Sequence, residues 1–276
     1  VYIVPAAGYY YDYLNCQYLY DSWTPAQIGS EKFEENDPAI LGGMFAVWND
    51  HVGNGITVKD IHDRLFPALQ TLSAKCWTGA ATSFSFEDFN RLRLSLSEAP
   101  AVNEAARWQK GKQLRIETLN PGQTTGEKEV GYGYRVEFTI EGADEPKGTV
   151  LFSSDNATFY LADPESGQLG FAREGYLNKF NYRVEKGKKV TLAITGDNRK
   201  TCLYVDGKLR EELGPVTLYA MLPKDLATFQ KSDATATQPI VYNPSAKMHY
   251  QRTLVFPLQK AGDFKSRITG VKVEQE

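Results

Sequence analysis

From about residue 112 onward the chain consists of short runs in which apolar and polar residues alternate, separated by turn residues. Alternation with a period of two places apolar side chains on one face of a strand, and turn signals about every eight to twelve residues are typical of an all-β sandwich. We therefore predict strands over residues 133–140, 149–153, 158–162, 170–173, 179–184, 189–195, 201–205, 208–212, 252–258 and 268–273.

The strongest local signal in this region is Asp206-Gly207, which separates the runs TCLYV and KLREEL. Asp-Gly between two alternating runs favours a two-residue hairpin turn. Residues 212–250 are rich in Ala, Thr and Pro, and we predict that they are irregular. Together the runs FTI, LFSS, FYL, LGF and VTLAITGDNRKTCLYVDGKL resemble a laminin-G-like or concanavalin-like jelly roll, in which a final strand pairs back near the start.

The N-terminal part has a different period. Apolar residues recur at intervals of three and four, which predicts a helix, at Val58, Ile61, Leu65, Leu69, Leu72 and Cys76. Thr57 with Asp60 forms an N-terminal capping signal. Pro67 interrupts the pattern, so either one helix ends near Leu65 and another begins, or a single helix kinks there.

A second helix is predicted after the stop signal at Gly79. It begins at Ser85 with Asp88, continues through Phe89, Leu92 and Leu96, and ends before Pro100. Residues 98–111 are polar and weakly patterned, so we place a linker there, between one domain over 1–97 and a β-sandwich over 112–276.

Charge and composition exclude several classes of function. The formal net charge is -3 and basic residues are dispersed, so we expect no nucleic-acid partner. No run approaches the roughly 20 apolar residues of a membrane span, and the start resembles no signal peptide. The chain begins without Met, so we expect an excised part of a longer protein.

The three cysteines form neither a disulfide framework nor a metal site with the histidines. We expect free, mostly buried thiols, and only Cys16 and Cys76 lie in the same predicted domain. We expect no cofactor and no metal.

Two short apolar runs, residues 1–4 and 44–47, each lead into a cluster of aromatic and acidic residues. The first precedes a group containing Tyr10 and Asp12, and the second precedes Trp48 and Asp50. In α/β barrels the functional residues lie at the C-terminal ends of the strands. The alternative is that each run is a buried strand whose polar end merely meets solvent.

These residues resemble the end of the catalytic barrel of family 20 glycoside hydrolases, the β-N-acetylhexosaminidases. In that family the seventh strand leads to Tyr-x-Asp with a Trp further on, and the eighth leads to Gly-Gly and then Trp-x-Glu. The matching residues are Tyr10, Asp12, Trp23, the pair Gly42-Gly43, Trp48 and Asp50. The resemblance covers roughly residues 1–80 and departs from the pattern at Asp50, where most members have Glu. It implies the last β/α units of a (β/α)₈ barrel, followed here by the jelly-roll sandwich.

The family hydrolyses terminal β-linked N-acetylhexosamine by substrate-assisted catalysis, with an Asp-Glu pair on an earlier strand. Here Asp144-Glu145 lies in the β region, so we expect the catalytic pair to be absent and the isolated chain to be inactive. By resemblance, Tyr10 would position the substrate acetamide, while Asp12, Trp23, Trp48 and Asp50 would contact the sugar. The parent protein would be extracellular, periplasmic or on the cell surface.

Each candidate residue also has a structural alternative. Tyr10, Trp23 and Trp48 would serve packing, Asp12 and Asp50 would cap loops, and His51 beside them is expected to be structural. Three residues of the sandwich have side chains of the kind that bind calcium: Asp155, Asn156 and Asp163. We favour the interpretation that they form turns.

The role of the sandwich has two interpretations. As a carbohydrate-binding module it should present surface aromatics in a line, from the set Tyr160, Phe171, Tyr176 and Phe180. As a structural spacer it should pack against residues 57–97, and we slightly favour this interpretation. Two barrel units expose strand edges and an apolar face, so we also expect that the fragment covers this surface against the sandwich or self-associates.

Overall fold

The computed structural model describes residues 2–3, 16–28, 30–35, 37–45, 57–79, 83–96, 98, 102–223 and 240–275. In the N-terminal part the elements are β1 (Tyr2–Ile3), α1 (Cys16–Ser22), β2 (Gln27–Ile28), β3 (Glu31–Lys32), β4 (Met44–Phe45), α2 (Val58–Thr78) and α3 (Phe86–Leu94). In the sandwich they are β5 (Gln113–Leu119), β6 (Glu129–Val130), β7 (Tyr134–Glu141), β8 (Thr149–Ser153), β9 (Ala157–Ala162), β10 (Gly170–Arg173), β11 (Tyr176–Lys179), β12 (Lys189–Gly196), β13 (Thr201–Val205), β14 (Lys208–Leu213), β15 (Val216–Pro223), β16 (Ile240–Tyr250), β17 (Phe256–Pro257), β18 (Lys260–Ala261) and β19 (Arg267–Gln275).

The two apolar runs at the N-terminal end form neighbouring parallel strands. Tyr2 of β1 pairs with Met44 of β4, and Ile3 pairs with Phe45. Parallel neighbours require a long crossover connection, which the intervening segment with α1 provides. The pairing agrees with two consecutive β/α units, whereas a (β/α)₈ barrel is not shown by this part of the chain and stays a prediction.

Helix α2 is continuous from Val58 to Thr78 and contains Pro67. The continuous helix contradicts the alternative in which one helix ends near Leu65 and another begins, whereas a kink at Pro67 stays a prediction. Thr71 donates its hydroxyl to the Pro67 carbonyl at 2.7 Å, within the same turn. At the N-terminus Thr57 and Asp60 form the predicted capping box. Helix α3 is capped by Ser85, also as predicted.

The N-terminal helices share a small aromatic cluster. The Tyr20 ring of α1 stacks on Phe89 of α3, with 4.6 Å between centroids, and lies 5.8 Å from Phe86. The Tyr20 hydroxyl donates to the Phe84 carbonyl at 3.1 Å. Leu19 and Tyr20 are buried, so α1 is held against α2 and α3 by apolar packing.

The second part is a β-sandwich of two antiparallel sheets. One sheet has the strand order β11-β10-β9-β8-β18, and the other has the order β14-β13-β12-β7-β19-β5. The last strand, β19, lies between β5 and β7, so the chain closes back on the start of the domain as the jelly-roll resemblance implied. The β-sandwich prediction is therefore confirmed.

The core lies between the two sheets and follows from the alternation in the sequence. In β7 every second residue is buried: Tyr134, Val136, Phe138 and Ile140. Phe256 lies at the centre, with its ring 5.7 Å from Tyr134, 6.3 Å from Phe152 and 5.2 Å from Phe159. These offset and edge-on contacts are the preferred geometries of aromatic pairs.

The Asp206-Gly207 hairpin is confirmed. Val205 pairs with Lys208, and both turn residues have positive φ, +48° at Asp206 and +76° at Gly207. Positive φ at both positions is what a type I′ turn requires.

Other strand predictions were wrong. The strand predicted over 179–184 is instead β11, because Glu174 and Gly175 form a tight turn with φ of +46° and +84° and the chain reverses earlier. The segment predicted to be irregular contains the paired strands β15 and β16. Strand β5 was missed, and the strand predicted over 252–258 is limited to β17.

Replacing Phe256 with Ala removes the ring that three other aromatic rings contact. We expect a loss of about 3–5 kcal/mol in the free energy of unfolding, measured by urea denaturation, because the cavity cannot close fully. Leu209→Ala is the control, since Leu209 is 54% exposed, and should change stability by less than about 0.5 kcal/mol. Equal losses in the two variants would contradict this assignment of the core.

Candidate functional site

Of the residues predicted to contact a sugar, four lie outside the described part of the chain. These are Tyr10, Asp12, Trp48 and Asp50, and His51 lies outside it as well. Their roles stay predictions. The parallel strands β1 and β4 precede the two groups in sequence, which is the order that the barrel resemblance requires.

Trp23, the fifth candidate, lies directly after helix α1. Its backbone N–H donates to the Leu19 carbonyl at 3.3 Å. Its ring lies against Gly43, where a Cβ atom would approach Trp23 Cη2 to 2.6 Å and Leu72 Cδ1 to 3.2 Å. Only glycine fits at this position without displacing the ring, so packing against Trp23 explains the glycine at position 43. Gly43 thus lies close to both the Trp23 ring and Leu72 of α2, and the predicted contact of Trp23 with a sugar stays a prediction.

The described part of the chain has its most elaborate polar site where the first turn of α2 meets the sandwich. At its centre Arg173 Nη1 pairs with Asp60 Oδ2 at 2.9 Å, and the two residues are 3% and 2% exposed. We call the group formed by Thr57, Asp60, Tyr132, Arg173 and Thr253 the Asp60–Arg173 cluster. All five of its residues are buried.

Both charged groups of the pair have further hydrogen-bond partners. Arg173 Nη1 donates to Thr253 Oγ1 at 2.6 Å, and Nη2 donates to the Gln251 carbonyl at 3.2 Å. Asp60 Oδ1 accepts from Tyr132 and Thr253, while Oδ2 accepts from the Thr57 hydroxyl and N–H. A buried ion pair needs such additional hydrogen bonds to offset desolvation.

The phenol of Tyr132 stays protonated in this setting. Burial raises the pKa of Tyr132 well above its ordinary value, and the neighbouring Asp60 carboxylate raises it further. A protonated Tyr132 donates its hydrogen bond to Asp60, so the cluster contains donors and acceptors in matching positions.

Local sequence places each member of the cluster. Asp60 is the third residue of α2, where its carboxylate both closes the capping box and complements the positive end of the helix dipole. Arg173 is the last residue of β10 and faces inward, since its partner Ala157 and the neighbouring Phe171 are also buried. Tyr132 follows Gly131, where any side chain would clash with the Ala105 carbonyl.

We call the boundary between the start of α2 and the sandwich the seam. Three further contacts of α2 extend it. Lys59 Nζ pairs with Glu129 Oε1 at 2.5 Å and donates to the Glu104 carbonyl at 3.0 Å. Asn198 donates to Asp63 Oδ2 at 2.7 Å. Helix α2 is thus attached to the sandwich along its first two turns.

The linker between the two parts is also tied to this helix. Glu98 accepts from the N–H groups of Glu104 and Ala105 at 2.8 Å and 2.9 Å, and its Oε2 lies 3.6 Å from His62 Nδ1. The segment predicted to be a linker therefore contacts α2 through its described residues.

Sequence reasoning found only part of this site. It identified Thr57 and Asp60 as a helix cap and missed Arg173, Tyr132 and Thr253. A weak signal was present in GFAR, because an arginine at an inward-facing strand position needs a buried partner. The partner is about 110 residues earlier in the chain, and the pattern alone does not identify it.

The aromatic line proposed for a carbohydrate-binding module is not present. Phe171 and Phe180 are fully buried in the core, while Tyr160 is half-buried and Tyr176 is 38% exposed. The prediction was wrong for the two phenylalanines because both are inward-facing residues of the sheet or its continuation. In contrast, the contacts of α2 agree with the spacer interpretation.

Asp163 has the turn-forming contacts that the favoured interpretation gave it. Its carboxylate accepts from the N–H groups of Glu165, Ser166 and Gln168 and from the Ser166 hydroxyl. Burial alone would raise the pKa of Asp163, but these hydrogen bonds outweigh it and hold the pKa below its ordinary value. Among the described residues no group of three or more His, Cys, Asp or Glu side chains is arranged to hold a metal ion.

The cysteine prediction holds only in part. None of the three cysteines is in a disulfide, but Cys76 is exposed, Cys16 is half-buried and only Cys202 is buried. In the described portion of the chain, no helix has the length and apolar character needed to cross a membrane.

Comparison with known proteins gives distant similarities only. No protein-family model matches the chain, and no curated protein does. The sequence is 9% identical to the galectin LEC-6 of Caenorhabditis elegans, over 58% of this chain and 95% of that chain, with a TM-score of 0.34. It is 12% identical to domain 4 of AbnA, a GH43 extracellular arabinanase from Geobacillus stearothermophilus, over 58% of this chain and 65% of that chain, with a TM-score of 0.28. It is 14% identical to Trypanosoma rangeli sialidase, over 62% of this chain and 27% of that chain, with a TM-score of 0.29.

These similarities are too low to support an argument about function. The sandwich is defined here by its own strand pairing.

Separating the partners of the buried ion pair should be costly. We expect Arg173→Met and Asp60→Asn each to lower the free energy of unfolding by about 3–5 kcal/mol, because each leaves a buried polar partner uncompensated. The double variant should lose less than the sum of the two, and urea denaturation measures all three. Lys188→Met is the control: its ion pair with Glu185 is exposed, and the urea midpoint should not change. Strict additivity would contradict the coupling.

The Asp163 turn should make stability depend on pH in a defined direction. A carboxyl whose pKa is lowered on folding stabilises the protein above its unfolded pKa of about 3.9, and this contribution is lost as pH falls through the lower folded value. Asp163→Asn should therefore cost about 2 kcal/mol near neutral pH, and the difference from the wild type should shrink below about pH 4. Asp155→Asn, at an exposed carboxylate, is the matched control. A difference that grows on acidification would refute the assignment.

Proposed function

We propose that this chain is the C-terminal part of an exo-acting β-N-acetylhexosaminidase, or of a disaccharide-releasing relative, in which the β-sandwich is an accessory domain that braces the barrel. The observation that carries the proposal is the Asp60–Arg173 cluster. It joins the sandwich to the first turn of α2, the helix that follows β4 and the candidate residues Trp48 and Asp50 in sequence.

The bracing role follows from the chemistry of the cluster. Arg173 and Asp60 are buried and hydrogen-bonded to each other, so both charged groups are engaged within the protein. Such a site favours one relative placement of helix and sandwich, since any shift of α2 would separate buried charges from their partners. An accessory domain held in this way fixes the start of α2 at Thr57.

The sugar chemistry of the proposal rests on the resemblance. Tyr10 would hold the acetamide of the substrate for attack, Trp48 would provide an apolar wall, and Asp12 and Asp50 would accept hydrogen bonds from ring hydroxyls. Trp23 would contribute to the same pocket. The substrate would be a glycan with a terminal N-acetylhexosamine.

The general acid and its partner would come from outside this sequence. Asp144-Glu145 does not fit that role, because Glu145 Oε1 accepts from the Ser266 hydroxyl at 2.7 Å and from the N–H groups of Lys265 and Ser266. These contacts give Glu145 a structural task in the sandwich.

The proposal is tested by activity with and without the rest of the barrel. The purified chain should not turn over an aryl N-acetyl-β-glucosaminide, whereas a protein extended upstream to include a strand-end Asp-Glu pair should. In the longer protein Tyr10→Phe should lower kcat on the order of 100-fold, because the acetamide loses its positioning contact. Tyr13→Phe, in the same tyrosine cluster, is the matched control and should leave kcat nearly unchanged. Turnover by the isolated chain, or equal effects of the two substitutions, would overturn the proposal.

A further inference from the structure

A cleft of about 260 Å³ lies beside the Asp60–Arg173 cluster, at the seam between α2 and the sandwich. Its lining combines residues of both parts of the chain: Val58, Lys59, Glu129, Asn156, Glu174 and Val255. Pockets for drug-sized ligands are roughly 300–1,000 Å³. The cleft is therefore suited to a ligand of about one sugar ring.

Glu129 gives the cleft an unfilled hydrogen-bonding position. Its side chain is 90% buried, and Oε1 is paired with Lys59, but Oε2 has no hydrogen-bond partner. A buried carboxylate oxygen without a partner is costly, and such a group in a native protein calls for an explanation. Oε2 itself is closed to solvent in this structure, so a ligand hydroxyl in the cleft would satisfy it after a shift of the Glu129 side chain toward the cleft.

Donors are present among the same lining residues. The N–H groups of Val58 and Lys59 precede the first intrahelical hydrogen bond of α2, which Ile61 donates to the Thr57 carbonyl, and so have no acceptor within the helix. Lys59 Nζ has three N–H groups and contacts Glu129 and the Glu104 carbonyl. The cleft thus offers both donors and an acceptor to one ligand.

The charges of the lining decide the ligand class. Arg173 is neutralised by Asp60, which leaves Lys59 against the carboxylates of Glu104, Glu129 and Glu174 among the described lining residues. This net negative lining disfavours phosphate and carboxylate ligands. Val58 and Val255 provide apolar surface of the kind that sugar C–H groups contact.

We infer that this cleft is a subsite for a single neutral sugar ring. A ligand hydroxyl donates to Glu129 Oε2, and another hydroxyl accepts from the first-turn N–H groups of α2. The choice of a sugar among neutral polyols rests on the proposed glycan-processing function. The existence of the cleft and its polarity do not depend on that function.

The test uses the 276-residue chain and ¹H–¹⁵N spectra recorded during titration with N-acetylglucosamine, methyl β-galactoside, glycerol or N-acetylneuraminic acid. At least one neutral sugar should shift the amide signals of Val58 and Lys59 with saturation, while N-acetylneuraminic acid should not. Glycerol separates a sugar site from a general polyol site, and saturation by glycerol at equal affinity would overturn the sugar assignment.

Two variants locate the binding. Glu129→Gln should weaken sugar binding about tenfold, because the charge-assisted hydrogen bond is lost. Val58→Trp, at a position 59% exposed on the rim, should block the cleft without disturbing the core, and covers the case in which Glu129→Gln fails to fold. Glu117→Gln, at an exposed carboxylate on β5, should leave binding unchanged.

No saturable shift with either neutral sugar, or binding that is insensitive to both Glu129→Gln and Val58→Trp, would overturn the inference. Its failure is distinguishable from that of the proposed function. Sugar binding in the cleft without turnover by the extended protein would refute only the hexosaminidase. Turnover without binding in the cleft would refute only the subsite.

Discussion

The ion pair between Asp60 and Arg173 is the interaction on which the relation between the two parts of the chain depends. A buried ion pair adds little net stability compared with apolar residues of similar volume, but it strongly penalises any arrangement that separates the charges. Because Asp60 also caps α2, the same carboxylate fixes where the helix begins and how it meets the sandwich. The start of the helix and its attachment to the end of β10 are therefore set by one buried group.

The sandwich that contains Arg173 is stabilised by its apolar core. Alternation along β7, β9 and β12 directs apolar side chains inward, and Phe256 fills the centre. The arginine at the end of β10 is thus a charged group on an otherwise apolar inner face, tolerated because α2 delivers its carboxylate there. Stability of the sandwich and attachment of the helix are linked through this residue.

Local rules predicted the local structure well. The alternating runs, the Asp206-Gly207 hairpin and the caps at Thr57 and Ser85 depend on residues close in sequence. Features decided by distant contacts were missed, including the cluster around Arg173 and the pairing of β15 with β16. For the candidate sugar site, Trp23 lies in the described chain beside Gly43, while the other four residues lie outside it.

Native-state hydrogen exchange tests the bracing of α2 most directly, because it measures the opening free energy of individual amides. The relevant amides are those of Asp60 and Ile61 in α2 and of Phe138 in the core of the sandwich. If the sandwich braces the helix, the α2 amides open with the same free energy and the same denaturant dependence as Phe138. Exchange of Asp60 and Ile61 through a separate opening of much lower free energy, with Phe138 still protected, would contradict the account.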